Sequence, residues 1–201
     1  MLARAEDPLE VKRPYLEIGD CWSYRADRLY YGGWITSYEM CITHADRQKD
    51  LFLATAAIKD DAREIDLSFT QDWGLRTFID GSAYTEPARF FRFPMRVGDS
   101  HSLEGYFQSG ILANGTQYGE WSIKAVAWED VTVPAGKFRA LRIEASGNVQ
   151  NALAVNRTRV YRIWWYVEEV RRHVKFVQRA AGQAAADIGW SEELVGYRLV
   201  P

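Results

Sequence analysis

The residues best suited to metal ligation or proton transfer are the three histidines, His44, His101 and His173, and they lie far apart in the chain. None has a second histidine or a cysteine at ligand spacing, so no local metal site is written. Each reads as a structural histidine on or beside a strand. Paired acids occur at Asp60-Asp61, Glu168-Glu169 and Glu192-Glu193. Neighbours on a strand point to opposite faces, so these pairs are poor proton-sharing dyads and read as solvated charges. No Gly-x-Ser-x-Gly elbow, glycine-rich phosphate loop or dinucleotide fingerprint is present. A triad assembled from distant residues needs no local motif, but nothing in the chain singles one out. The expectation is a protein that is not an enzyme, with no cofactor and no metal.

The elements that position these residues are strands. Period-2 patterns dominate, and no segment sustains a helical repeat. Strands are expected near 21–30, 34–44, 50–58, 63–70, 76–80, 88–93, 102–111, 117–130, 137–147, 157–167, 170–180 and 193–200. Residues 1–20 read as an extended lead-in and 21–201 as a single antiparallel domain. Eight Trp and eleven Tyr in 201 residues suit the half-buried surface of a sheet. Asn114-Gly115 is a two-residue hairpin signal. Pro134-Ala135-Gly136 fits a three-residue loop that pairs Val133 with Lys137.

The first hairpin permits a register argument. With Tyr31-Gly32-Gly33 as its loop, Tyr30 faces Trp34, and Trp22, Tyr24, Ala26, Tyr30, Trp34, Tyr38, Met40 and Ile42 share one apolar face. A one-residue slip would mix polar and apolar residues on both faces. In this register Cys21 lies opposite Thr43 and Cys41 opposite Ser23, a diagonal about 7–8 Å apart. A bridge between them then requires a bulge or a register shift. The even cysteine count of an exported protein favours a bridge and this geometry disfavours it.

Two later strands read differently from each other. In 157–167, Val160, Trp164 and Tyr166 face one side while Tyr161, Ile163, Trp165 and Val167 face the other, which suits a strand covered on both faces. In 170–180, Val170, Val174 and Phe176 oppose Arg171, His173, Lys175 and Arg179, so the basic row is expected on a solvated face.

The formal net charge of −2 argues against nucleic acid, whose affinity comes largely from phosphate neutralisation. No apolar run approaches the roughly 20 residues of a membrane-spanning helix. Ala3-Arg4-Ala5 has the small-x-small form of a signal-peptidase site, with no leader before it.

Four segments resemble the TapB-like proteins, a bacterial envelope group of unknown function. Gly19-Asp20-Cys21-Trp22-Ser23-Tyr24 is similar to that family's Gly-Asp-x-Trp-x-Tyr opening. The run from Val131 to Glu144, Trp165-Tyr166 followed by Val174-Lys175, and the closing Glu193-Leu194-Val195-Gly196-Tyr197 resemble further stretches of it. The chain departs from the pattern between Val167 and Arg172, where the family carries Pro and Gly. Nothing between about Asp46 and Ser109 matches. The resemblance implies export to the periplasm or cell envelope, with a signal peptide removed, and a large curved sheet like the half-barrels of lipoprotein carriers.

The sequence therefore predicts an all-β fold: a large curved antiparallel sheet, half-barrel or flattened barrel, with little helix. Its expected role is to bind or carry a lipid or other apolar or amphipathic small molecule on a surface lined by Trp22, Tyr24, Trp34, Tyr38, Met40, Trp164 and Tyr166. The alternative is an interaction protein that holds an envelope protein through a sheet edge or an aromatic patch.

Overall fold

Alternating apolar residues separated by turns build an antiparallel meander, and in the computed structural model that meander closes on itself. The structure describes residues 7–30, 33–59, 64–79, 81–108, 115–151, 157–181 and 189–201, with the side chains at 27–30, 33–35 and 151 excluded. The strands are β1 (Cys21–Tyr30), β2 (Gly33–Asp46), β3 (Leu51–Ile58), β4 (Glu64–Phe69), β5 (Leu75–Thr77) and β6 (Ala83–Ala88). They continue as β7 (Ser100–Gln108), β8 (Thr116–Val133), β9 (Gly136–Asn151), β10 (Arg157–Val167), β11 (Arg172–Ala181) and β12 (Trp190–Arg198). Each pairs with its sequence neighbours, and β1 pairs with β12 to complete a twelve-stranded barrel. The expected curved sheet is present and closed, its thinnest seam being β6 with β7, paired only at Ala83–Gln108 and Tyr84–Phe107 among the described residues. No helix occurs among the described residues, so none is long and apolar enough to cross a membrane.

Inward positions alternate along every long strand. Trp22 and Tyr24 on β1, Tyr38, Met40 and Ile42 on β2, and Phe52, Ala54 and Ala56 on β3 are all buried. β10 lies between β9 and β11, with Val160, Trp164 and Tyr166 buried inside and Trp165 half-buried outside.

Three local expectations are corrected. The strand expected at 88–93 is instead β6, ending at Ala88. Phe90 and Phe91 are both buried, which a strand facing one interior cannot arrange for adjacent residues. The chain leaves the sheet at Arg89 and folds these rings into the barrel against Trp121, Trp164 and Tyr166. The 8→9 turn is tighter than expected: Val133 pairs with Gly136, which takes φ 138°, so only Pro134-Ala135 intervene. Asn114 lies outside the described residues.

The first hairpin keeps its predicted face but not its register. Trp22 pairs with Met40 and Tyr24 with Tyr38, two residues from the expected alignment. Tyr30 pairs with Gly33 rather than Trp34, which supplies one residue of the shift, and an irregularity between Arg25 and Arg28 supplies the other. The shift brings Cys21 directly opposite Cys41, with Cα atoms 4.1 Å apart, and the two are disulfide-bonded.

That bridge encloses a loop with a sequence separation of 20. Constraint of the unfolded chain over such a loop is worth about 3 kcal/mol. The paired replacement Cys21→Ser, Cys41→Ser should leave the barrel folded and lower its urea midpoint by an amount matching that figure. Unchanged stability would show that the cross-link constrains nothing.

Candidate functional site

The opening motif acts at the base of the barrel, the end that carries the 10→11 turn. The Asp20 carboxylate is fully buried and accepts hydrogen bonds from Arg171 Nη1 at 2.9 Å, Val200 N at 2.8 Å and Glu17 N at 3.0 Å. Trp22 Nε1 donates to the Val170 carbonyl at 2.8 Å, and Tyr24 Oη donates to the His173 carbonyl at 2.7 Å. Trp73 Nε1 donates to the Arg171 carbonyl between them, also at 2.8 Å. Three ring donors thus cap the turn where the resembling family carries Pro and Gly. Arg171 takes the left-handed φ of 61° that Gly would take more easily. Its ion pair with Asp20 and its capped carbonyl hold it there.

Above this latch lies a buried polar cluster. Arg172 and His173 are each 7% exposed and Glu192 is 2% exposed. His173 was expected outside with a basic row, but a bulge between Trp165 and Tyr166 pairs His173 with inward-facing Tyr166. Of that row, Arg171 is spent on Asp20, Lys175 stays outside with Glu193, and Arg179 is exposed. Glu192 was expected to be solvated. It alternates with buried Trp190 and Leu194, so it faces inward while Glu193 faces out to Arg25 and Lys175. The period-2 signal Trp190-x-Glu192-x-Leu194 was available, but starting the last strand at 193 concealed it.

Glu192 accepts from Tyr38 Oη at 2.5 Å and from His173 Nε2. Burial pushes its pKa up, but the bonds from His173 and Tyr38 and the charge of Arg172 outweigh that and hold it below 4.5. Burial lowers His173 below its ordinary 6.5, against the pull of Glu192. A carboxylate can only accept, so neutral His173 carries its proton on Nε2. Burial also raises the Tyr38 phenol, and Glu192 raises it further. The guanidinium of Arg172 lies 4.4 Å from the Trp73 ring centroid and 5.6 Å from those of Trp22 and Tyr24. Arg172 and Glu192 therefore balance as one buried cation and one buried anion. No group of metal-ligating side chains occurs among the described residues.

Of the expected lining residues, Trp22, Tyr24, Tyr38, Met40, Trp164 and Tyr166 all face the interior and are buried. Tyr24 stacks on Tyr38 at 5.4 Å, and Trp22 meets Trp73 edge-on at 5.4 Å. Trp164 and Tyr166 meet Phe91 at 5.5 and 5.4 Å. The side chain of Trp34 lies outside the described residues. The lower barrel is thus filled by its own rings.

The upper barrel differs. Tyr84, Leu103, Phe107, Val149 and Ala180 face in yet are only half-buried. Trp121 lies flat across its partner Gly147, where a Cβ would come within 2.4 Å of the ring. At Gly105, on the inner face between Leu103 and Phe107, a Cβ would meet nothing within 4 Å. Sequence reasoning missed Gly105 and Trp121, because a glycine on a strand does not reveal whether it admits a ring or leaves a space. Outside the barrel, a cleft of about 1400 Å³ opens between the N-terminal segment and the 10→11 turn, lined by Leu9, Arg96, Trp128 and Glu168 among others.

Fold and site together describe a closed meander barrel with a sealed polar base and, among the described residues, open space at Gly105 on the inner wall of its other half. The chain is similar to a candidate lipoprotein from Parabacteroides distasonis ATCC 8503, with TM-score 0.54 and 11% identity over 94% of this chain and 99% of that one. It is also similar to the hypothetical lipoprotein YmcC from Escherichia coli K12, with TM-score 0.53 and 8% identity over 91% of this chain and 85% of that one. At such identities the shared property is the fold. No family model and no curated protein matches the chain.

Two expected outcomes follow from the cluster and the latch. Because His173 titrates lower when folded than when unfolded, the unfolded chain binds the proton first as pH falls. Stability is full above about 6.5 and declines as pH drops below it. Burial lowers His101 too, so it contributes with the same sign. Urea midpoints measured from about pH 7.5 to 5.5 should fall, and His173→Gln should flatten the slope to the part that His101→Gln removes. An unaltered slope in His173→Gln would refute the assignment. At the latch, Arg171→Gly relieves a strain of roughly 1–2 kcal/mol but leaves Asp20 buried without its cation, at roughly 3–5 kcal/mol. Net destabilisation is expected in chemical denaturation, and net stabilisation would show that the turn is governed by φ alone.

Proposed function

We propose that this chain is a non-enzymatic protein of the bacterial envelope, of TapB-like kind, that binds an apolar or amphipathic ligand inside the upper half of its barrel. The observation that carries this reading is the open space at Gly105, walled by half-buried inward-facing apolar side chains. Apolar side chains that face inward but are not filled against one another gain by covering with an apolar guest. In this reading Leu103, Phe107, Val149 and Ala180 line the ligand space, and buried Trp164, Trp121 and Phe176 close its lower boundary. Trp22, Tyr24, Tyr38, Met40 and Tyr166 form the floor beneath it. The one histidine–carboxylate pair described inside the barrel is sealed in that floor and committed to internal partners, which supports a binding role over catalysis. Placement in the envelope is supported by the lipoprotein descriptions of the two similar structures and by the small-x-small sequence near residue 3.

A second reading, an interaction protein, is favoured by the outer cleft and by Leu9, which is 92% exposed beside it. A fluorescent acyl probe distinguishes the two. After organic extraction the protein should bind the probe in the micromolar range. Gly105→Phe, which fills the space without backbone strain, should fold as before and weaken probe binding at least tenfold. If the extracted protein takes up no probe, the barrel is not a carrier and the outer cleft becomes the working surface.

A further inference from the structure

Position 162 interrupts the inner wall of β10. It lies between Val160 and Trp164, both buried, so its side chain points into the barrel. The residue is Arg162, and it is only half-buried. Its guanidinium sits 4.4 Å from the centroid of Trp121 and 4.8 Å from that of Phe90. Its Nε donates to Gln178 Oε1 at 2.7 Å. Its cross-strand partners are Ala145 on β9 and Gln178 on β11, both uncharged.

A cation enclosed in an apolar wall normally acquires a counter-charge, because burying it alone is costly. Arg172, in the floor, has one in Glu192. No ion pair of Arg162 exists among the described residues. The nearest described inward carboxylate, Glu192, faces Phe176 one inward position further along and is already held by Tyr38 and His173. Ring faces stabilise a cation but leave its outer N–H donors unused. Guanidinium donors are matched in geometry to carboxylate and phosphate oxygens.

We infer that Arg162 is the receptor for the anionic head of the barrel's ligand, so that the ligand class is an alkyl chain ending in a carboxylate or a phosphate. This rests on the binding role proposed above. The head enters first and meets Arg162 at the boundary of the filled floor. The tail lies back along Leu103, Phe107 and Ala180 toward the upper end. The floor beneath, closed by Phe90 and Trp164, sets the depth to which the head can descend.

The test uses dodecanoate, dodecyl phosphate and dodecanol below their aggregation limits, titrated against the full extracted chain by tryptophan fluorescence and calorimetry. The wild type should bind at least one of the two anions ten or more times more tightly than the alcohol, and which one it prefers identifies the head. Arg162→Gln should bring anion affinity down to that of the alcohol and leave the alcohol unchanged. Arg162→Lys should retain part of the preference, since a point charge survives without the fork. If Arg162→Gln does not fold, the lysine variant and the wild-type ratio decide. Equal binding of anions and alcohol by the wild type, or an undiminished ratio in Arg162→Gln, overturns the inference and leaves the carrier role standing. Binding of none of the three overturns both.

Discussion

The barrel depends on how it disposes of the backbone at its closed end. A turn that crosses the base of a barrel carries carbonyls and an amide run that water cannot reach once the base is packed, and each orphan costs about 1–3 kcal/mol. Here the 10→11 turn is satisfied by side chains from elements far away in sequence: Asp20, Trp22 and Tyr24 from the start of the barrel and Trp73 from the 4→5 connection. These contacts tie the first strand to the eleventh through the interior, while the β1–β12 ladder ties it to the last around the wall. The Gly-Asp-x-Trp-x-Tyr motif is therefore a closure device. Its Asp pairs with Arg171, and its Trp and Tyr hold the carbonyls of Val170 and His173.

This explains which parts of the structure were legible. The even-numbered face of the first hairpin could be read, because burying Trp22, Tyr24, Tyr38 and Met40 together requires only correct parity. The exact pairing could not be read, because a shift of two preserves parity and is decided by an irregularity at Arg25–Arg28 and by the Cys21–Cys41 bridge. The boundaries of β1 and β10 were plain from their period and flanking turns. Phe90 and Phe91 misled, since consecutive aromatics resemble a strand until a closed interior is available for both to enter. His173 misled for a related reason. A bulge changes parity at one residue, and nothing local to Val170–Lys175 announces it.

The same bulge sets the electrostatics of the floor. By turning His173 inward it supplies Glu192 with a neutral donor, so the carboxylate is held by two hydrogen bonds and needs only one cation, Arg172, within reach. A cluster balanced in this way can be sealed. Its polar groups specify one arrangement of the surrounding rings, because displacing Tyr24 or Tyr38 would strand a charge in a medium of low dielectric constant.

A sealed, neutral floor makes the tier above it informative. The interior strands of β10, β11 and β12 carry Trp164, Phe176 and Glu192 in one row and Arg162, Gln178 and Trp190 in the next. The first row is closed by partners on every side. In the second, a cation rests on rings with a neutral amide beside it, and Gly105 leaves its open space two inward positions beyond His101, the member of this row on β7. Packing alone would favour an aliphatic residue at 162. An arginine on the inner wall with no ion pair among the described residues adds little to stability by itself. In the proposed function a guest from outside the chain completes both the volume and the charge.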